Sequence, residues 1–322
     1  MAEQQQKSTV TYLTVGEEDQ GQRLDNFLMR HFRKAPKTLI YRIVRKGEVR
    51  VNKGRSKVSD RIQAGDLVRV PPMQDVQVEK PSDGEIPLQE LRQIEQSILF
   101  EDADLLVVNK PPGVAVHGGG GVRYGLIEVL RALRPQAKRM ELVHRIDRDT
   151  SGCLLVAKKA SVLKALHEQI RANQFEKRYL AMVVGRWPKA VNKVDLPLLK
   201  THLPDGGWHV RVAQEGKPAI SFFEWQDSLP GCDLMAVRLQ TGRTHQIRVH
   251  ALAHGCALVG DDRYGDREVN KQFRKQGMKR LALHAHILGF THPVTQQPMR
   301  FEAPLWADFK RLMDRSSVDQ LR

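Results

Sequence analysis

The first region with a regular pattern of apolar positions lies between residues 21 and 71. Apolar residues recur at intervals of three and four through residues 24–32 and again through residues 37–46, and this spacing predicts two amphipathic helices. Gly47 follows directly and is placed to end the second helix, because glycine readily adopts the left-handed conformation of a helix C-terminus. We therefore expect a small folded domain over residues 21–71, preceded by a flexible N-terminus at residues 1–20.

Two shorter apolar runs complete this domain, and a polar segment follows it. Residues 48–52 alternate between apolar and polar side chains, and residues 62–70 end in a second apolar run, so both predict strands. Residues 72–95 contain three prolines and six acidic residues against two basic ones. This composition predicts a linker between two domains.

From residue 96 to residue 322 the pattern mixes strands with helices. Compact apolar runs such as residues 105–108 and 152–157 predict buried strands, while the longer stretch at 160–173 predicts a helix. Many strands with few long helices are typical of an α+β domain with a mixed or antiparallel sheet. A chain of 322 residues is long enough for this second domain to have a core of its own.

The composition adds an expectation about the compartment. Hydrophobic residues make up 41% of the chain, and no run approaches about 18 consecutive apolar residues, so we expect no membrane span. The first residues lack the apolar stretch of a secretory signal. The three cysteines are an odd number without a CxxC spacing, which is typical of a reducing compartment. We therefore expect a soluble cytoplasmic protein.

The net charge of +15 is unevenly distributed along the chain. Residues 21–70 carry 14 Lys or Arg against 4 Asp or Glu, which is +10, and the other residues share the remaining +5. A concentrated basic block favours binding to a polyanion such as nucleic acid over a mere gain in solubility. Most of its cations lie off the apolar stripes of the two predicted helices. The residues of the second helix that we expect to meet phosphates are Arg42, Arg45 and Lys46.

Two polar segments offer the residues for chemistry. Residues 144–152 hold Asp147 in a polar stretch, and residues 241–250 hold Arg243 beside a glycine. A carboxylate near an arginine keeps a low pKa and stays ionised, which suits a nucleophile and makes a poor general acid. By residue type alone, however, Asp147 is better explained as the cap of a turn, and Asp149 is a rival carboxylate.

Both domains resemble known families. Residues 23–28, 47–52 and 64–66 resemble the S4 RNA-binding domain, which implies RNA rather than DNA as the partner of the basic block. Residues 144–152 resemble the signature of the RluA-type pseudouridine synthases, and four further segments match that family in order. Those segments are residues 109–113, 177–181, 239–250 and 260–265. The resemblance implies a catalytic domain over residues 96–322, with a mixed, mostly antiparallel sheet split by a central cleft.

The resemblance also implies an activity and roles for individual residues. The enzyme would convert specific uridines of 23S rRNA, free or in a large-subunit precursor, to pseudouridine after flipping each target into the active site. Asp147 would be the nucleophile, Arg243 would pair with it, and Tyr179 would lie against the base or assist proton transfer. The residues expected to contact the substrate or its surroundings are Arg145, which would take the vacated position in the RNA helix, Ile247 in the apolar wall, His144 and Arg248.

No cofactor or metal is expected. The isomerisation involves no redox change, and the sequence contains neither a GxxxxGK[ST] loop nor a GxGxxG unit. His245, His250 and His254 are spaced by five and four, which does not bring all three onto one helical face for a metal. The four glycines at 118–121 lack a following Lys-Ser/Thr pair, so we interpret them as a turn rather than a phosphate loop.

Two other functions remain open from the residues alone. The chain would be a non-catalytic rRNA-binding or assembly factor if the catalytic scaffold were inactive, but such a scaffold need not keep Asp147, Tyr179 and Arg243 together. A nucleoside or glycoside hydrolase using Asp147 and Asp149 would need a protonated acid, which the basic surroundings disfavour. We see no exposed heptad pattern and expect a monomer.

Overall fold

The computed structural model describes residues 10–32, 35–72, 86–118, 122–137, 139–202 and 208–319. These residues form an N-terminal domain built on a four-stranded sheet and a larger C-terminal domain built on a ten-stranded sheet. The prediction of an α+β protein with an S4-like domain in front is confirmed. Within the described ranges, no helix combines the length and the apolar character needed to cross a membrane.

The N-terminal domain packs two helices against its sheet. Its elements are β1 Thr11–Thr14, α1 Leu24–His31, α2 Lys37–Arg45, β2 Arg50–Val51, β3 Gly54–Arg55 and β4 Leu67–Val70. The strands pair antiparallel in the order β1-β4-β2-β3. The apolar stripes that predicted α1 and α2 form the core of the domain, where Phe27, Leu28 and Ile40 are fully buried. Burial of these large side chains stabilises the domain by about 1.5–3 kcal/mol each.

Part of the predicted flexible N-terminus is structured. Strand β1 pairs along its length with β4, from Thr11 opposite Val70 to Thr14 opposite Leu67. A turn of 3-10 helix at Glu17–Asp19 then leads into α1. The prediction that residues 1–20 are flexible is therefore wrong for this part, because backbone hydrogen bonding to β4 fixes a segment that has little apolar character of its own.

The C-terminal domain is built on one large sheet. Its strands are β5 Ile98–Glu101, β6 Leu105–Lys110, β7 Glu141–Leu142, β8 Ser151–Ala157, β9 Glu176–Val184, β10 Lys193–Asp195, β13 Ile220–Leu229, β14 Cys232–Leu239, β15 Leu283–Thr291 and β16 Pro298–Glu302, and β11 Leu198–His202 with β12 Trp208–Val212 forms a separate hairpin. The order in the large sheet is β10-β13-β14-β9-β15-β8-β6-β5, with β16 beside β15 and β7 beside β8. The predicted mixed, mostly antiparallel sheet is confirmed.

Helices cover both faces of this sheet. They are α3 Leu88–Gln96, α4 Leu126–Leu133, α5 Ala160–Arg171, α6 Gln246–Ala253, α7 Arg267–Lys275 and α8 Ala307–Asp319. Helix α3 lies inside the predicted linker, so the linker prediction is wrong for that stretch. Ile94 of α3 is buried in the core of the C-terminal domain, and the Tyr124 hydroxyl donates to the Glu90 carboxylate at 2.8 Å. These contacts fix α3 against α4.

The two halves of the sheet meet at a short parallel seam between β8 and β15. Only Ser151 opposite His284 and Gly152 opposite Ala285 are paired there, whereas the other described pairings of this sheet are antiparallel. Gly152 has φ +109°, and a Cβ added to it would lie 2.2 Å from the carbonyl oxygen of Ala285. Glycine is therefore required for the close approach of the two strands. Residues 144–150 lie directly before this seam, so the seam positions them.

Candidate active site

The loop at residues 144–150 lies between β7 and β8. A hydrogen bond from Lys110 to the backbone of Arg148 fixes it to the end of β6. This lysine is fully buried at the end of β6, and its Nζ donates to the carbonyl oxygens of Pro111, Val114 and Arg148 at 2.8, 2.9 and 2.9 Å. Burial lowers the pKa of Lys110 to about 7. The three acceptors match the three protons of its ammonium form. Sequence reasoning did not assign Lys110 a role, and its place in the 109–113 segment was the available signal.

His144 fixes the beginning of the loop against β8. Its Nε2 accepts a hydrogen bond from the backbone amide of Leu155 at 3.3 Å. Burial, together with the nearby charge of Lys177, lowers the pKa of His144 to about 3, so the ring is neutral at physiological pH and can accept this bond. His144 therefore has a structural role, and the predicted contact between His144 and RNA stays a prediction.

Asp147 lies in the loop with 24% of its side chain exposed. Its Oδ2 is 3.4 Å from Nη1 of Arg248 and 3.6 Å from Nε2 of His245. The arginine that pairs with Asp147 is therefore Arg248, and the prediction that Arg243 does so is wrong. Arg248 lies in the first turn of α6 and points towards the loop. Arg243 precedes that helix, is exposed, and donates from Nε to the carbonyl oxygen of Pro218 at 3.0 Å.

The charge of Arg248 is shared between two carboxylates. Its Nε and Nη2 donate to Oδ2 and Oδ1 of the buried Asp261, both at 2.7 Å, which leaves only Nη1 for Asp147. Burial raises the pKa of Asp147 above its ordinary value, and the charge of Arg248 opposes that rise. The expectation of a low pKa for Asp147 is therefore wrong in direction, because desolvation outweighs a partner that is mainly bound elsewhere.

His245 is the second polar neighbour of Asp147. From the sequence it was weighed only as a metal ligand. It has a left-handed backbone with φ +54°, directly before α6. Its Nδ1 lies 2.8 Å from the hydroxyl of Tyr264, which accepts from the amide of Val210 at 3.3 Å. Burial, with the positive charge of Arg248, lowers the pKa of His245 to about 3. If the neutral ring accepts a hydrogen bond from the Tyr264 hydroxyl at Nδ1, its own proton is on Nε2, the nitrogen that faces Asp147.

A small cavity of about 120 Å³ lies above Asp147. Its apolar wall includes Tyr179, Ile247 and Leu283, all of which are buried. Tyr179 stands on β9, and burial together with the negative charge of Asp147 raises the pKa of its hydroxyl, so Tyr179 is neutral. The structure thus brings Asp147, Tyr179 and Ile247 together at one cavity, and their roles in the reaction stay predictions.

The cavity opens into a groove of about 1000 Å³ that is rich in basic side chains. Arg145 and Arg243 line both the cavity and the groove, so they stand at the mouth of the site. Arg145 is exposed, and in the described part of the chain no hydrogen bond or ion pair holds its guanidinium. The other cations lining the groove are Arg171, Lys177 and Arg238. A groove of this charge suits a polyanionic ligand.

The three histidines that were weighed as metal ligands have separate contacts. His250 is fully buried, with Nδ1 3.0 Å from Ser221 Oγ and Nε2 3.0 Å from the carbonyl oxygen of Leu196. The ring of His254 lies against Trp187, with centroids 5.5 Å apart. Of the predicted glycine turn at 118–121, all but Gly118 lies outside the described residues.

One cluster of carboxylate and histidine groups has the spacing of metal ligands. It consists of Asp102, Asp104 and His292. Asp102 accepts hydrogen bonds from the backbone amides of Asp104 and Leu105, and Lys159 Nζ lies 2.7 Å from Asp104. These contacts account for the cluster as a turn closed by an ion pair.

A second basic surface lies on the N-terminal domain. Its cations project from the exposed face of α2 and the residue that follows it, and they are Arg42, Arg45 and Lys46. The ring of Tyr41 on α2 lies near Arg45 of this surface and near Lys37 at the start of the helix, with the Arg45 guanidinium 6.0 Å and Lys37 Nζ 5.4 Å from its centroid. Cations beside a partly exposed aromatic ring suit contact with phosphates and bases.

Comparison with known proteins identifies the families of the two domains. The RNA pseudouridylate synthase family matches residues 104–254, and the S4 domain family matches residues 22–68. The chain is 48% identical over 313 residues to ribosomal large subunit pseudouridine synthase C of Haemophilus ducreyi, covering 97% of each chain. It is 50% identical over 296 residues to the protein of that name from Yersinia pestis, covering 92% of each, and 48% identical over 310 residues to that from Escherichia coli K12, covering 95% and 97%.

Solved structures give the same result for the fold. Human RNA pseudouridylate synthase domain containing 4 matches with a TM-score of 0.58 and 25% identity, over 70% of this chain and 95% of its own. Human RNA pseudouridylate synthase domain containing 1 matches with a TM-score of 0.53 and 26% identity, over 65% and 83%. The chain belongs to the RluA family of RNA pseudouridine synthases and carries an S4 domain at its N-terminal side. It is therefore an isomerase that acts on RNA.

Proposed function

We propose that this enzyme isomerises specific uridines of 23S rRNA to pseudouridine, with Asp147 as the nucleophile. The relatives that carry the name ribosomal large subunit pseudouridine synthase C support a large-subunit rRNA as the substrate. The observation that carries the role of Asp147 is its position beneath a small cavity, with Tyr179 in the wall and Arg248 at 3.4 Å. No other carboxylate among the described residues that line this cavity competes with it.

The reaction breaks the N1–C1′ bond of uridine and joins C5 to C1′. C5 loses its hydrogen and N1 gains one, so atoms and electrons balance without a redox step or a cofactor. Whether Asp147 acts at C1′, at C6 or on a C2′ proton, the carboxylate must be ionised. Arg248 stabilises that ionised form, while burial keeps the carboxylate poorly solvated and therefore reactive.

The target base must leave its helix to reach the cavity. Unstacking and unpairing a base costs on the order of a few kcal/mol. Arg145 is free to enter the vacated position and offset part of this cost, because it is exposed at the mouth of the cavity. The flipped base would lie between Ile247 and Tyr179, whose neutral hydroxyl is available for proton transfer. Arg243, also at the mouth, would contact an adjacent phosphate.

The S4 domain supplies binding energy away from the reacting uridine. Three cations on and beside α2 face outward, and each phosphate they neutralise adds a salt-dependent increment to the affinity for RNA. Every residue assigned a role here belongs to one chain, so we propose that the enzyme acts as a monomer.

Unmodified 23S rRNA incubated with the wild-type enzyme and with Asp147→Ala tests the proposal. Pseudouridine is detected as stops in primer extension after carbodiimide treatment. We expect stops with the wild type and with the control Asp149→Ala, whose carboxylate is half-exposed and pairs with Arg148, and none with Asp147→Ala. Stops formed by Asp147→Ala would show that another group is the nucleophile. Binding of the RNA without any stop by the wild type would favour an assembly factor.

A further inference from the structure

A buried arginine joins the two domains. The side chain of Arg139 in the C-terminal domain is only 6% exposed, and Asp19 of the N-terminal domain is 3% exposed. Nη1 of Arg139 donates to Oδ1 of Asp19, to Oε1 of Gln22 and to the carbonyl oxygen of Glu18, each at 3.1 Å. Three acceptors of one domain thus converge on one nitrogen of the other.

Charges on both sides extend this contact. The second oxygen of Asp19 accepts from Arg30 of α1 at 2.5 Å, and Nη2 of Arg139 lies 2.9 Å from Glu141. The result is a chain of alternating charges from α1 to β7, which we call the Arg139 clasp and define as Arg30, Asp19, Arg139 and Glu141. A buried charge that loses its partner is strongly unfavourable, so a clasp of this kind holds its two domains in one arrangement.

The clasp ends next to the catalytic loop. Glu141 begins β7, which pairs with β8 and leads within six residues to Asp147. The Glu17–Asp19 turn also lies against α5, so the contact has a second point of support. The S4 domain is therefore tied to the strand that carries the signature loop, and the position of its basic helix relative to the active site is fixed.

We infer that the Arg139 clasp holds the S4 domain and the catalytic domain together as one rigid body that binds RNA. Arg139 is then a positioning residue that determines which uridines reach the active site. This inference rests on the proposed function for its substrate. A short stem-loop that contacts only the catalytic groove would not need the clasp. A long rRNA that contacts both basic surfaces would need it, because a fixed distance between them selects the target.

The arrangement of the domains is measured first, independently of activity. Spin labels on Ser59→Cys and Lys271→Cys, both exposed, report the distance between the domains by pulsed electron resonance. The three native cysteines are buried, so the introduced thiols react selectively. We expect one narrow distance distribution in the wild type and a broad one in Arg139→Gln. The matched control Arg134→Gln, whose ion pairs with Glu95 and Glu101 lie within the C-terminal domain, should stay narrow.

Selectivity is measured next, with a short stem-loop and a long 23S rRNA fragment that each contain one target uridine. We expect Arg139→Gln to keep the kcat for the stem-loop within about 2-fold of wild type but to raise the KM for the long fragment by about 10-fold or more. Asp19→Asn, made in the other domain, should reproduce both effects, and Arg139→Lys should restore the KM in part. A narrow distance distribution in Arg139→Gln and Asp19→Asn, or a broad one with an unchanged KM for the long fragment, would overturn the inference. Failure of the wild type on both RNAs would instead refute the proposed function, while the distance measurement would still test the clasp.

Discussion

Substitution of Gly152 by alanine tests whether the seam between β8 and β15 positions the catalytic loop. The added Cβ would lie 2.2 Å from the carbonyl oxygen and 2.6 Å from the nitrogen of Ala285. Both are backbone atoms of a strand held on its other side by β9, so they cannot move without separating the halves of the sheet. The φ of +109° adds strain for any residue with a Cβ.

The expected destabilisation follows from these two terms. Backbone strain of this kind costs about 1–3 kcal/mol, and forcing extra volume into a packed site costs about 1–3 kcal/mol more. We therefore expect Gly152→Ala to lower the free energy of unfolding by about 2–6 kcal/mol, a large part of the stability of a domain. With a urea m-value of about 2–3 kcal/mol/M, the unfolding midpoint should fall by about 0.7–3 M.

Urea unfolding followed by tryptophan fluorescence measures this midpoint. All four tryptophans, at positions 187, 208, 225 and 306, lie in the C-terminal domain, so the signal reports that domain alone. Gly185→Ala is the matched control, because Gly185 also has a positive φ, +77°, but a Cβ there would have no neighbour within 4 Å. The control carries the backbone strain of about 1–2 kcal/mol without the overlap, so it should shift the midpoint by only about 0.3–1 M. Equal shifts for the two variants would refute the argument that the seam is too close for a side chain.

Three further predictions concern the site and the RNA surface. Arg248→Lys keeps a positive charge but loses the planar guanidinium that contacts two carboxylates, so kcat for pseudouridine formation should fall on the order of 10²-fold. Arg243 is exposed, and Arg243→Lys should mainly raise KM. Equal losses of kcat in the two variants would contradict the pairing of Asp147 with Arg248. Because burial raises the pKa of Asp147, the folded state binds more protons than the unfolded state in the window above the ordinary Asp pKa, and stability falls as pH rises through that window. Asp147→Asn should therefore be inactive yet at least as stable as wild type in urea at pH 7, with this advantage disappearing at lower pH, and a less stable variant at pH 7 would refute the sign. Replacement of Arg42, Arg45 and Lys46 on the S4 domain by glutamine should weaken RNA binding and reduce the slope of log K against log salt concentration by about 2–3. An unchanged slope would show that these three cations do not contact phosphates.

The sequence predicted the position of the site better than its internal pairing. Asp147 and Tyr179 were identified by their motifs, and the sheet brings them to one cavity. The choice between Arg243 and Arg248 could not be made from spacing, because it depends on where α6 begins. His245 adopts a left-handed backbone conformation immediately before that helix. This conformation is uncommon for residues other than glycine, so the sequence does not predict it.

Other parts were missed because their partners are distant in sequence. Arg139 contacts Asp19, which lies 120 positions away, so its role has no local signal. Lys110 lies in a family segment, but its contact with the carbonyl group of Arg148, 38 positions away, cannot be predicted from that segment alone. Helix α3 is different, since Leu91 and Ile94 show the three-residue spacing of a helix face. The surrounding prolines and acidic residues outweighed that pattern and favoured a linker.

The release of tritium from RNA labelled at C5 of uridine tests the central claim most directly. Every conversion to pseudouridine replaces the C5–H bond with a C5–C1′ bond, so released tritium counts turnovers. Under single-turnover conditions on labelled 23S rRNA, we expect the wild type and Asp149→Asn to release the tritium of every target uridine. Asp147→Asn keeps the shape of the side chain and should release no tritium above background. Release by Asp147→Asn at a rate near that of wild type would contradict the assignment of Asp147 as the nucleophile.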